Sequence, residues 1–141
     1  MADNLDVRKW TRRAQMDFDG ASVLVKNMFR PPIEVVCFLC QQSAEKILKA
    51  YTIAQKGSRT RSHELEDLLD ECIPYSADFS NIKDCCVDLS PYLGAARYPS
   101  EIDITEYDMK KALNDAAQIL EFTKAKLKEL GYEYLPEQGK M

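Results

Sequence analysis

The sequence predicts an all-α fold, an antiparallel up-and-down bundle of four long helices and one short helix. Two observations carry that prediction. Apolar residues recur at spacings of three and four over five separate stretches, the mark of amphipathic helices rather than half-buried strands. The stretches are joined by short segments rich in Pro, Gly and Ser, which favour tight connections between antiparallel neighbours. A length of 141 residues suits one domain over residues 1–141, with a core over about 5–130 and a flexible tail over 131–141.

The first helix is expected over about residues 5–29. Trp10, Ala14, Asp17, Ala21, Leu24 and Met28 alternate spacings of four and three, and Phe18 and Val25 widen the stripe to a packing face. Pro31 and Pro32 end it and suit the first turn of the next helix, over about 32–56. That helix carries Ile33, Val36, Cys37, Cys40, Ala44, Leu48 and Tyr51 on one side, with Gly57 as its C-terminal cap. A short third helix lies in HELEDLLDEC (63–72). The fourth, over about 78–97, aligns Phe79, Ile82, Cys86, Leu89, Leu93 and Ala96, and Pro91 should kink it or restart it after Ser90. Thr105 and Asp108 form a capping box for the last helix, which runs to about Leu130 through Met109, Ala112, Ala116, Ile119, Leu120 and Leu127.

Composition narrows the function. Charged residues make up 30% of the chain and the net charge is −4, which argues against a strongly basic nucleic-acid binder. No apolar run is long enough for a membrane span and the start MADNLDVRKW is not a signal peptide, so a cytoplasmic protein is expected. The glycines form no phosphate loop or dinucleotide pattern, and no cofactor is expected. Five cysteines are present, and Cys37 and Cys40 have zinc-knuckle spacing that Cys85 and Cys86 would complete. Positions 37 and 40, however, belong to the apolar stripe of a helix. The thiols therefore read as buried, reduced side chains, with no metal site.

Polar residues sit where the stripe should be clean. Gln41 points into the apolar face of the second helix, with Gln42, Glu45 and Lys49 along one edge and Lys46 further round toward solvent. Asp17 lies directly between Ala14 and Ala21, and Arg97 is a candidate cation for it. A buried glutamine without partners costs about 1–3 kcal/mol, so either a polar network fixes the packing or lines a subunit interface, or a cleft receives a ligand.

The run CQQSAEKILKAY (Cys40–Tyr51), then SHELEDLL (Ser62–Leu69), then ARYP (Ala96–Pro99) before a last long helix, resembles the HEPN domain family. Ala14 and Asp17 fit its first helix, and the resemblance covers about residues 5–130. It implies an up-down bundle with an added short helix, commonly a homodimer. The family's name refers to proposed nucleotide binding. Many bacterial members are encoded beside a small nucleotidyltransferase and form half of a toxin–antitoxin pair. The ribonuclease members carry Arg, four to six residues, then His. Here the one histidine is His63, preceded at those distances by Lys56, Gly57 and Ser58, so that motif is absent.

His63 then reads as a helix-start residue that contacts the neighbouring helix or caps the third one. The chain is expected to be a non-catalytic module that dimerises and binds a partner protein such as a minimal nucleotidyltransferase. A nucleotide-binding module is the second reading. Its cleft would comprise Asp17, Gln41, Gln42, Glu45, Lys46, Lys49 and Arg97, with Tyr98 stacking on a base. A divergent metal-independent ribonuclease is the third. Basic clusters at Arg8, Lys9, Arg12 and Arg13, and at Lys56, Arg59 and Arg61, would form a nucleotide or RNA groove if they converged with Lys46, Lys49 and Arg97.

Overall fold

The computed structural model describes residues 4–58, 60–94 and 103–133. Asn4 opens the first helix, its side-chain oxygen accepting the Asp6 N–H at 2.9 Å, and α1 runs Leu5–Asn27. The two prolines follow, and Pro32 occupies the cap position of α2, Ile33–Lys56. Gly57 ends α2 in the left-handed region at φ 80°, its N–H donating to the Ile53 carbonyl at 2.8 Å. The short helix α3 is Leu65–Cys72. Ser62 organises its entry: its hydroxyl accepts from the Glu64 N–H at 3.1 Å and donates to Asp67 at 2.9 Å.

The fourth helical stretch is continuous from 77 to 94 but composite. A 3-10 segment, Ala77–Ile82, leads into α4, Lys83–Leu89, and a second 3-10 segment, Ser90–Gly94, follows. The change at Ser90 has a local cause, since Pro91 has no N–H for the α-helical ladder and Ser90 caps the Cys86 carbonyl with its hydroxyl at 2.9 Å. Helix α5, Glu106–Glu129, begins at the expected capping box. The Thr105 hydroxyl accepts from the Asp108 N–H at 3.2 Å, and Asp108 accepts from the Thr105 N–H at 2.9 Å.

The chain stays anchored beyond the expected start of the tail. Gly131, at φ 94°, lets the Tyr132 N–H reach back to the Leu127 carbonyl at 2.9 Å. Tyr132 is buried, and its hydroxyl accepts the Asn4 N–H at 3.0 Å. The two ends of the described bundle are thereby joined. Residues 134–141 lie outside the described residues.

Contacts between α1 and α2 and between α4 and α5 run in opposite order, so these chain neighbours are antiparallel. Ala14 meets Ser43 and Trp10 meets Lys49 between α1 and α2; Asp88 meets Lys111 and Cys85 meets Gln118 between α4 and α5. Helix α2 packs against α1, α3 and α5 and is buried almost all round, from Val36 to Ala54. Tyr51, Phe79 and Phe122 stack in sequence with centroids 4.6 and 5.1 Å apart, which fixes the first 3-10 segment between α2 and α5. All five cysteines are buried free thiols. Burial pushes Cys37, Cys40, Cys72 and Cys86 up to about 12 and Cys85 to about 11, so they act as small hydrophobes.

Candidate functional site

Helical geometry stacks Gln41, Glu45 and Lys49 one turn apart on α2. The Lys49 ammonium donates to Glu45 Oε2 at 2.9 Å, and the two side chains are only 4% and 5% exposed. His63 arrives from the loop before α3, with Nδ1 2.9 Å from the same carboxylate oxygen and 3.2 Å from Lys49 Nζ. A carboxylate oxygen at 2.9 Å can only accept, so the contact is a hydrogen bond when His63 Nδ1 carries the proton and donates to Glu45, and the ammonium of Lys49 is then a neighbour of the imidazole rather than its donor. Burial raises the Glu45 carboxyl, but hydrogen bonds from His63, Lys49 and Gln41 and the Lys49 charge outweigh it. The carboxyl ends below its ordinary value.

Gln41 finds the partners its position demands. Its oxygen accepts from Gln42 at 2.7 Å, and its amide nitrogen makes long contacts to Glu45 at 3.4 Å and the His63 carbonyl at 3.5 Å. His63 therefore contacts the neighbouring helix, and Ser62 takes the role at the start of α3. The outer part of the imidazole remains open, since the side chain is 66% exposed.

Lys46 is not the solvent-facing residue that its angle on the helix suggests. It crosses to α1 and pairs with Asp17 at 2.5 Å, both side chains being largely buried. The long lysine stem lets a residue at the edge of the stripe cover apolar surface and still deliver its charge to the neighbouring helix. Asp17 thus has its cation without Arg97. Arg97 and Tyr98, together with Arg59, lie outside the described residues.

Trp10 is the residue whose place the periodicity undervalued. It separates two cavities in the groove between α1 and α2. One, of about 210 Å³, is lined by Lys9, Trp10, Arg13 and Lys46. The other, of about 290 Å³, is lined by Asp6, Trp10, Ile53, Gly57 and Ser58. The Lys49 ammonium lies 5.6 Å from the indole centroid, so the buried Glu45–Lys49 pair supports the tryptophan from within.

The basic clusters converge only in part. Lys9 and Arg13 come beside Lys46, whereas Lys49 is turned inward. Arg8 lies over Tyr132 at 5.5 Å, and Lys56 pairs with Glu71 at 2.5 Å. A usable signal was in the sequence: Trp10, Arg13 and Asp17 recur at helical spacing, so a polar edge runs beside the apolar stripe of α1.

A helical bundle with an internal Glu–Lys–His seam defines the class as a small all-helical domain. The family model for the HEPN domain matches residues 7–127, and the chain belongs to the HEPN domain family. Two solved structures are similar to it. The archaeal HEPN homologue ST0689 is 26% identical, with a TM-score of 0.63 over 86% of this chain and 97% of that one. TT1696 from Thermus thermophilus is 25% identical, with a TM-score of 0.68 over 85% of this chain and 97% of that one. Among curated proteins, none matches the sequence significantly. Among the described residues, no helix is long and apolar enough to cross a membrane and no group of His, Cys, Asp or Glu is placed to hold a metal ion.

Proposed function

We propose that this HEPN domain is a non-catalytic, cytoplasmic binding module that works as a homodimer and docks a partner protein, of the minimal nucleotidyltransferase type found with its relatives. One observation carries the reading. The outer face of α1 and the turn into α2 present Met16, Val23, Met28, Phe29 and Val35 to solvent, with Phe29 94% exposed. Exposed apolar side chains along one helix and the turn that follows it support a protein-binding surface. The chemistry of the histidine supports the same reading. His63 is held by Glu45 and Lys49, a packing role that supports a non-catalytic reading.

The test is co-expression with the product of the neighbouring gene, followed by size-exclusion chromatography with light scattering. A complex that survives purification and is weakened by Phe29→Ser supports the reading. A strictly monomeric chain that recovers no partner sinks it.

A further inference from the structure

Helix α1 buries Val7, Thr11, Ala14 and Ala21 against its neighbours α2 and α5, and its opposite side carries an ordered row of residues. Leu5, Lys9, Arg12, Met16 and Val23 follow one another at spacings of four, three, four and seven, and all five are exposed. The row is about 27 Å long, and Met28 and Phe29 extend its apolar end into the turn before α2. Its two halves differ. Lys9 and Arg12 lie in the first half, with Arg8 and Arg13 beside them in the sequence. The second half is apolar and is flanked by Asp19, which accepts from the Gln15 amide at 2.9 Å. Next to the basic half, Lys9, Trp10, Arg13 and Lys46 line a cavity of about 210 Å³. Asp17 answers Lys46, but Lys9 and Arg13 have no ion-pair partner among the described residues.

Leu5 and Arg12 repeat after seven residues, as do Lys9, Met16 and Val23, and seven is the period on which two helices pack side by side. We infer that the outer face of α1 binds one amphipathic helix of a partner protein, acidic where it covers Lys9 to Arg13 and apolar where it covers Met16, Val23 and Phe29. A glutamate of that helix seats in the cavity, its methylenes against the Trp10 indole and its carboxylate on Lys9 and Arg13. The carboxylate gives both cations the charge-assisted hydrogen bonds that they lack in the free domain. Asp19 repels an acid placed further along, so the charges also set which end of the helix lies where. The acidic helix of this chain, α3, presents Glu66, Asp67 and Asp70 without a large exposed apolar side chain. A second copy laid on through α3 therefore leaves Met16 and Val23 bare. The incoming helix belongs to the partner protein proposed above, and its chemistry rests on that reading.

The experiment is fluorescence anisotropy on the full chain with two labelled helical peptides of about 20 residues, long enough to cover the row. One carries leucines on a heptad seam in one half and glutamates in the other; the second has lysine in place of each glutamate. The glutamate peptide should bind saturably, and the lysine peptide at least about tenfold more weakly. Lys9→Glu with Arg13→Glu should reverse that preference, and about 1 M salt should abolish it. Met16→Ser with Val23→Ser should weaken both peptides alike. All four positions are exposed, and a kept melting temperature confirms that each variant is folded. Equal binding of the two peptides, a preference that survives the charge reversal, or self-association of the chain that the same variants abolish would each overturn the inference. The co-expressed complex separates this outcome from the broader reading. A complex that forms but ignores both pairs of substitutions overturns the α1 site and leaves the partner-protein reading standing. Peptide binding that follows the charges, with no neighbouring gene product recovered, supports the α1 site and moves the failure to the choice of partner.

Discussion

The Nδ1 atom of His63 lies 2.9 Å from Oε2 of Glu45, a side chain eighteen positions earlier on α2. That contact ties the loop after α2 back onto the middle of the helix. It also shares one buried carboxylate between an imidazole and the Lys49 ammonium. The seam is a packing device first, and its energetics follow from burial.

Lys49→Met should be strongly destabilising. It removes the buried cation and leaves Glu45 with the neutral amides of Gln41 and Gln42 and with His63, at a cost of about 3 kcal/mol or more. Urea unfolding followed by circular dichroism measures it. The double variant Glu45→Gln, Lys49→Met should recover part of that loss, because it removes both charges together. A double variant no better than the single one would show that the stem of Lys49, rather than its charge, matters.

The same carboxylate gives an acid dependence. The Glu45 carboxyl is held below its ordinary value of 4.5, so the folded state binds its proton less readily than the unfolded chain. The stabilisation is fully present above that value and is lost as the pH falls through the lower folded value. The unfolding midpoint should therefore drop on acidification below about pH 4.5, and Glu45→Gln should flatten that part of the curve. Parallel curves for the two proteins would contradict the role assigned to Glu45.

Asp17→Asn should cost about 1 kcal/mol. The Lys46 pair is partly buried, but its cation can turn toward water when the carboxylate is gone. Thermal unfolding of the single variants and of Asp17→Asn with Lys46→Gln gives the coupling between them. Independent, additive losses would show that the two side chains do not support each other in solution.

The thiols should be inert in the native protein. With four of them pushed up to about 12 and Cys85 to about 11, almost no thiolate exists at neutral pH and all five side chains are buried. An aromatic disulfide reagent should label them only as fast as the chain unfolds. Rapid labelling of a single cysteine under native conditions would single out Cys85, the most exposed of the five.

The helices, the capping box at Thr105 and Asp108, the cap at Gly57 and the restart at Ser90 were legible in the sequence. Each depends on residues within a few positions of one another, where spacing and local hydrogen bonding decide the outcome. The burial of Gln41 and the cysteines was legible for the same reason, since a helical wheel reports which side a residue faces, whereas Glu45 and Lys49 were expected only at the edge of the stripe and are buried. The anchoring of Tyr132 was not, because its partner is the Asn4 backbone at the other end of the described chain.

What only the tertiary structure decided is which charges meet across helices. Lys46 rather than a more distant cation reaches Asp17, Lys49 turns in to Glu45 and His63, and Trp10 becomes the wall between a basic and an acidic cavity. A period of 3.6 residues fixes the angle of a side chain on its own helix. It carries no information on how far a flexible lysine stem extends or which turn of the neighbouring helix lies opposite, and those two quantities make the groove.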